Sequence, residues 1–191
     1  SEETKAQQDH ELYGVNHTLL SGDDVAAMEP DFRMKLAGAI HWTDPWTIKD
    51  PGALVAAYFE YFKSLGGQFT QGAAKNLQQS ADGWTVEIGG ETVSGREAVV
   101  TLGPWAPEIF EPLGYRLPLF VKRGYHMHYG TEGGATLNNW IIDAEIGYLL
   151  APMTRGIRLT TGAEFAMRDA APSPIQLGRA EKAAREMFPL G

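Results

Sequence analysis

The clearest repeat of apolar positions in the sequence is helical and lies between Asp50 and Gly66. Large apolar residues recur there three or four positions apart. They are Leu54, Val55, Tyr58, Phe59, Phe62 and Leu65. Asp50 can cap this helix, Pro51 suits its first turn, and Gly66 ends it. We expect the aromatic stripe to pack in the core of the protein.

After residue 73 the pattern changes to an alternation of apolar and polar residues, which is typical of half-buried strands. Trp84, Val86 and Ile88 alternate with polar neighbours, and glycines mark the turns on either side. The pattern predicts a meander of three or four strands that ends near residue 102.

Residues 98–102 (AVVTL) form a continuous apolar run too short for a helix, which predicts a strand buried on both faces. Gly103 ends this strand, and Pro104 and Trp105 open a short helical turn. A glycine at such a point lets the backbone approach a ligand, and free N–H groups at a helix start can bind an anion. A cofactor edge and an ordinary tight turn are the two interpretations, and the stretch alone favours the ordinary turn.

The remaining elements complete an α+β pattern. We expect a short helix that Ser21 caps and Pro30 ends, and a final helix that Ser173 caps. Strands are expected at residues 37–42, 117–129 with a bend at Gly124, 140–142, 146–151 and 157–161. The predicted fold is therefore a mostly antiparallel sheet flanked by helices, together with the β-meander.

Two groups on these strands could carry chemistry. Arg158 lies between Ile157 and Leu159, where a guanidinium is costly unless it meets an anion or a carboxylate. His126 and His128 share one strand face, a spacing that metal sites use. Since no cysteine or acidic cluster stands nearby in the sequence, we expect no metal and interpret the pair as solvated or hydrogen-bonded histidines.

Composition narrows the class of protein. The 191 residues are 43% hydrophobic and 21% charged, as in ordinary globular proteins, and the net charge of −8 argues against binding to nucleic acid. The absence of cysteine excludes disulfides and cysteine-ligated metals within the chain. No apolar run is long enough to span a bilayer, and the N-terminus does not resemble a signal peptide.

The sequence also lacks several catalytic and binding motifs. Motifs for serine hydrolysis, nucleotide hydrolysis and zinc proteolysis are missing, as is a G-x-G-x-x-G fingerprint.

Four stretches, taken together and in order, carry a resemblance to a known family. They are KDPGALVAAYFEYFKSLGGQF, AVVTLGPWAPEIFEPLG, LPLFVKRGYHMHY and GYLLAPMTRGIRLTTGAEF. In this order they resemble segments of the FAD-dependent oxidoreductases of the D-amino-acid oxidase superfamily, especially the bacterial members similar to D-amino-acid dehydrogenase. The dinucleotide fingerprint of that family is absent here, so the chain looks like an internal part of a larger flavoenzyme.

The resemblance implies a division into three segments. Residues 1–50 and 115–191 would form the two parts of a substrate-binding domain. Residues 51–114 would supply a helix and the β-meander of an incomplete FAD-binding domain. We expect a fragment of this kind to be inactive alone and not to retain FAD.

The resemblance also implies roles for individual residues. Arg158 would pair with a substrate carboxylate, and Tyr125 and Tyr148 would line the same pocket and hydrogen-bond the substrate. The expected cofactor contacts are Ala73, Ala74, Gly103, Pro104 and Trp105. Proline at position 104 removes a backbone N–H that the family pattern has.

The activity implied for the parent enzyme is oxidation of the C–N bond of an amino acid or an N-substituted glycine, with hydride transfer to FAD. Alternatives are a flavoenzyme of the same fold acting on a 2-hydroxy acid or glycerol phosphate, and a non-catalytic ligand-binding module. The expected partners are a small amino-acid or amine substrate and an electron acceptor, which is either oxygen or a respiratory carrier. The expected location is the cytoplasm, with peripheral attachment to the inner membrane as an alternative.

Overall fold

Helices form where the sequence supplies a start, an apolar repeat and an end. In the computed structural model, which describes residues 2–191, the α-helices are α1 (Glu2–Tyr13), α2 (Gly22–Met28), α3 (Pro51–Ser64), α4 (Pro107–Phe110) and α5 (Ile175–Met187). Ser21 caps α2 as predicted, since its hydroxyl accepts from Asp24 N while the Asp24 carboxylate accepts from Ser21 N. Asp50 caps the start of α3 through Ala53 N, at 2.9 Å.

Two helix ends differ from the sequence-based expectation. The prediction that Ser173 caps α5 is wrong, because the capping position is Pro174 and Ser173 N instead donates to the Tyr125 hydroxyl. Helix α1 has no counterpart in the prediction. Its sequence is mostly polar and only Ala6 among its described side chains is buried, so it has no apolar stripe from which a helix could be predicted.

The strands form small sheets. They are β1 (His17–Ser21), β2 (Gly38–Trp42), β3 (Ala74–Ser80), β4 (Gly83–Ile88), β5 (Glu91–Gly95), β6 (Lys122–Arg123), β7 (His126–Tyr129), β8 (Ile141–Asp143), β9 (Tyr148–Met153), β10 (Gly156–Thr160) and β11 (Glu164–Phe165). The largest sheet has the order β7-β10-β9-β8, and its strand pairs are antiparallel. Strands β3-β4-β5 form an antiparallel meander of three strands, which ends at Gly95 and not near residue 102 as predicted. The α+β fold with mostly antiparallel sheet is confirmed.

The chain divides into two compact units. The first comprises the residues up to Ala53, Gly124–Glu164 and Ala171–Gly191. The second comprises Leu54–Arg123 and Phe165–Ala170. The assignment of residues 1–50, 51–114 and 115–191 to a substrate-binding domain and an FAD domain stays a prediction.

The first unit has its core between the four-stranded sheet and α5. The largest completely buried side chains are Tyr148, Phe188, Leu150, Leu159 and Leu190. They belong to one cluster with the α5 residues Ala180, Ala184 and Met187. The alternation of β9 and β10 therefore turns one sheet face toward α5.

A buried carboxylate connects the end of α2 to the loop before β8. Glu29 is 2% exposed. Its Oε1 accepts from Asn139 N at 2.8 Å and from Asn139 Nδ2 at 2.7 Å, and its Oε2 accepts from Asn138 N at 2.9 Å. These three donors replace the hydration that burial removes from the charge.

The second unit is built around α3, the meander and α4. The prediction that the aromatic stripe of α3 lies in the core is wrong for this chain, because no side chain of α3 is buried. Tyr58 is 67% exposed and Val55 68%. The helical period is as expected, but the stripe is mostly exposed: within α3 only Phe59 is half-buried, and its ring packs edge-on against Phe69 at 5.1 Å.

The predicted buried strand at residues 98–102 does not form. The segment has no strand pairing among the described residues, and Val99 is 84% exposed. Apolar composition indicated a need for burial but could not supply the neighbouring strand with which the backbone would pair.

The single strand predicted over residues 117–129 forms as two short strands in different sheets. Strand β6 pairs with β11, whereas β7 pairs with β10. Gly124 separates them, so the expected bend is a change of sheet.

Within residues 2–191, the helices are too short or too polar to cross a bilayer.

Candidate functional site

Strand β10 carries a cationic side chain on the sheet face that does not pack against α5. Ile157 and Leu159 are 6% and 0% exposed and lie in the core cluster. Arg158, between them, points to the opposite face because side chains alternate along a strand. We call this surface of the β7-β10-β9-β8 sheet the Arg158 face.

The neighbouring strand places histidine beside this arginine. In the β10–β7 register Arg158 is opposite His128, and Thr160 is opposite His126. The two imidazole rings lie 5.7 Å apart. Burial lowers the pKa of His128 below its usual value, and the positive charges of Arg155, His126 and Arg158 lower it further. The Arg158 face therefore has a guanidinium on β10 beside a β7 histidine that is protonated less readily than usual.

Arg158 has unmet hydrogen-bonding capacity. Its Nε is enclosed and has no hydrogen-bond partner among the described residues. An enclosed guanidinium N–H without an acceptor is unfavourable, and a bidentate carboxylate is the ligand that best satisfies it. The residue type and its surroundings thus fit an anion-binding role.

The structure does not bring Tyr148 to this face. Tyr148 is 2% exposed and belongs to the core cluster with Leu150. Its hydroxyl donates to Met187 Sδ at 4.0 Å. Burial raises the pKa of Tyr148, and the nearby Asp143 carboxylate raises it further. Because Tyr148 and Leu150 share parity along β9, the tyrosine packs against α5 on the face opposite Arg158.

Tyr125 also lies apart from the Arg158 side chain. It precedes β7 and is two residues from Met127, so it shares parity with the face opposite His126 and His128. Its hydroxyl donates to Glu164 and accepts from Ser173 N at 2.9 Å. These bonds connect the strand to the segment before α5.

The Gly-Pro-Trp turn forms in the second unit as predicted from its residues. Gly103 has φ +52°, and a Cβ built there would meet no atom within 4 Å, so this side of the turn is open. Trp105 is 52% exposed. The Arg168 guanidinium lies 5.6 Å from the centre of its ring and also pairs with Glu108 and Asp169.

A cavity of about 320 Å³ lies between the meander and residues 97–102. Ala74 lines it, together with Leu77, Trp84 and Leu102. Ala73, Gly103, Pro104 and Trp105 do not line it, although Leu102 joins the cavity directly to the turn. Ala73 is exposed immediately before β3.

No three His, Asp or Glu side chains of the described residues cluster in a way that could hold a metal ion. His126 and His128 are two neighbours without a third ligand, and the sequence signal that suggested a metal pair was their spacing alone.

Sequence reasoning identified the histidines and Arg158 separately but did not bring them together. Each pair of alternate residues was visible in the sequence, at 126 and 128 and at 158 and 160. The β7–β10 register that joins the two pairs has no local signal, because it depends on which strands become neighbours.

Comparison with solved structures defines the class of fold. The chain is similar to glycine oxidase from Geobacillus kaustophilus, with a TM-score of 0.79, 18% identity, and coverage of 98% of this chain and 52% of that chain. It is also similar to NikD, an unusual amino acid oxidase essential for nikkomycin biosynthesis. The TM-score is 0.76 and the identity 21%, over 99% of this chain and 53% of that chain. A third similar structure is L-proline dehydrogenase from P. horikoshii, with a TM-score of 0.74 and 15% identity over 100% of this chain and 56% of that chain.

Comparison of the sequence with known families then identifies the family. Residues 1–190 match the DAO family, described as FAD dependent oxidoreductase, and the chain belongs to that family. It is 28% identical over 163 residues to a D-amino-acid oxidase of Bradyrhizobium diazoefficiens, covering 84% of this chain and 38% of that protein. The resemblance noted from the four motifs is thus confirmed. The chain spans less than half of that oxidase and about half of the solved structures it matches.

The residues of the second unit fit part of the contact that FAD requires. An open glycine backbone and an exposed indole suit a flat aromatic cofactor. Hydrogen bonding at the turn is limited, since Pro104 has no N–H and Trp105 N donates to Leu102 O at 3.1 Å. A contact through this turn would therefore rest on Gly103 and on the Trp105 ring.

Proposed function

We propose that this chain is part of a flavoenzyme that oxidises the C–N bond of an amino acid or an N-substituted glycine, and that Arg158 binds the substrate carboxylate. The observation that carries the proposal is the enclosed, unpartnered Nε of Arg158 on a sheet face that α5 does not cover. Membership of an FAD-dependent family supports an oxidoreductase role for the whole protein.

The proposal gives each unit a task. The first unit would bind the substrate on its Arg158 face, and the second would contact FAD through Gly103, Pro104 and Trp105, with Ala73 and Ala74 near the adenine. When bound, FAD would supply the acceptor for the hydride that leaves the substrate α-carbon.

The contribution of this chain is binding and orientation. A bidentate contact from Arg158 would fix the carboxylate plane and so limit rotation of the α-carbon, which reduces the entropic cost of reaching the reactive geometry. His128 has a lowered pKa and so adds little positive charge at neutral pH. The guanidinium is then the permanent charge that selects an anion on the Arg158 face.

The roles first expected for the two tyrosines change in this proposal. Tyr148 packs the core and Tyr125 connects β7 to the segment before α5, as their hydrogen bonds indicate. We propose that both support the sheet from the face opposite the substrate and make no contact with it.

The test uses the complete protein that carries this chain. Its absorption spectrum is expected to show a bound flavin, and anaerobic addition of D-amino acids, sarcosine or glycine is expected to bleach it. Matched additions of 2-hydroxy acids and glycerol phosphate are expected to leave the spectrum unchanged. Bleaching by a hydroxy acid alone would contradict the proposal and favour alcohol oxidation, and a protein without flavin absorption would favour a binding module.

A further inference from the structure

The Arg158 face is organised in two rows that run across the sheet. In the first row, His128 on β7 is opposite Arg158 on β10, which is opposite Ala151 on β9. Directly opposite residues of antiparallel strands point to the same side, so these three side chains are neighbours on one face.

The second row crosses all four strands. His126 is opposite Thr160, Thr160 is opposite Leu149, and Leu149 is opposite Ile142 on β8. Since the sheet order is β7-β10-β9-β8, the row changes from polar to apolar in one direction.

The two halves of this face differ in chemistry. The half formed by β7 and β10 carries Arg158, His126 and His128. The half formed by β9 and β8 carries Leu149 and Ile142, and Ile142 is 69% exposed. Neither row contains an aspartate or a glutamate.

We infer that this division selects the substrate: the site takes a monocarboxylate amino acid with an apolar side chain or N-substituent, which Ile142 and Leu149 contact. The inference rests on the proposed function, because it assumes that Arg158 holds the carboxylate. Two strand spacings separate β10 from β8, roughly 10 Å, which suits a carboxylate at one end and a medium-sized alkyl group at the other.

The same arrangement disfavours two other classes of substrate. Glycine has no group to cover Ile142, so it gains nothing from the apolar half. A second carboxylate would lie against Ile142 and Leu149, where it would lose hydration without gaining a partner.

The experiment measures chain-length dependence in the complete flavoenzyme. The rate constant of anaerobic flavin reduction divided by the substrate Kd is compared for alanine, norvaline, norleucine, glycine and aspartate, each as the reactive enantiomer. We expect it to rise with each added methylene, by up to about fourfold for full burial, and to be lowest for glycine and aspartate.

Binding of acetate, butanoate, hexanoate and succinate, followed by protein fluorescence, gives a readout that needs no turnover. Hexanoate is expected to bind most tightly. The variants Ile142→Ala and Leu149→Ala should each lower the norleucine-to-alanine ratio about threefold to tenfold. Ile175→Ala is the matched control, because Ile175 is also 69% exposed but lies on α5.

The outcomes separate this inference from the proposed function. If amino acids reduce the flavin without chain-length dependence, or if aspartate is preferred, the inference is overturned and the function stands. If no amino acid reduces the flavin while hexanoate still binds more tightly than acetate in an Ile142-dependent way, the proposed function fails and the division of the face stands. An equal effect of Ile175→Ala would overturn the inference.

Discussion

Arg158 and His128 lie directly opposite each other on β10 and β7, on the sheet face that α5 leaves uncovered. One is a permanent cation, and the other has a pKa lowered by burial and by the charges of Arg155, His126 and Arg158. The pair combines an anion-binding group with a neighbour that resists protonation, and the charge of this row depends on pH through His128.

Replacement of Arg158 tests the anion-binding role. We expect Arg158→Gln to weaken the affinity of the complete enzyme for carboxylate ligands by roughly 10- to 100-fold, because a charge-assisted contact is lost. Arg158→Lys should recover part of the affinity, since it keeps the charge without the bidentate geometry. The control is Arg179→Gln, an exposed arginine on α5. Equal affinities of wild type and Arg158→Gln would contradict the role.

The lowered pKa of His128 predicts a pH dependence of folding. Above the unfolded-state value of 6.5 the imidazole is neutral in both states. As the pH falls through 6.5 toward the lower native pKa, the unfolded state gains a proton first, so stability decreases over this window. In His128→Asn this part of the decrease should disappear. Urea unfolding at pH 7.5 and 5.5 measures this decrease, and His41→Asn in the β1-β2 sheet is the control.

Tyr148 offers a test of which sheet face is functional. The hydroxyl lies 4.0 Å from Met187 Sδ, a weak contact, so Tyr148→Phe should change the free energy of unfolding by no more than about 1 kcal/mol. Tyr148→Ala should cost about 3–5 kcal/mol, because it leaves a cavity in the core. In the complete enzyme, Tyr148→Phe is expected to leave carboxylate affinity unchanged. A loss comparable to that of Arg158→Gln would show that the tyrosine contacts the substrate.

The buried carboxylate of Glu29 should contribute strongly to the stability of the first unit. Glu29→Gln replaces one acceptor by an N–H group that faces the donors of Asn138 and Asn139, and we expect it to cost about 1–3 kcal/mol. Glu145→Gln is the matched control, since Glu145 is exposed. Denaturant unfolding of both variants measures the difference. Similar unfolding midpoints for Glu29→Gln and Glu145→Gln would show that the hydrogen bonds of Glu29 do not contribute strongly to stability.

Local sequence signals predicted the elements that depend on neighbouring residues. The capping box at Ser21, the start of α3 at Asp50 and the turns of the meander all rest on contacts within a few positions, and each formed. Helix α1 was missed because its polar sequence has no repeat to detect.

The features that could not be predicted depend on contacts between residues that are far apart in the sequence. Alternation predicted that Tyr148 and Leu150 share a face, but not that α5 would cover that face. The apolar run at 98–102 predicted burial, yet a strand also needs a neighbour to accept its backbone hydrogen bonds. For the same reason His126, His128 and Arg158 were separate observations in the sequence, and only the β7–β10 register places them side by side.

The exposed side chains of α3 have a practical consequence for work with this polypeptide. A contiguous row of aromatic and aliphatic side chains in contact with water promotes self-association as the protein concentration rises, even when the chain is folded. Preparations of the 191-residue chain should therefore sediment as concentration-dependent aggregates. Val55→Glu, on the exposed surface of the helix, should restore a monodisperse solution without unfolding the meander.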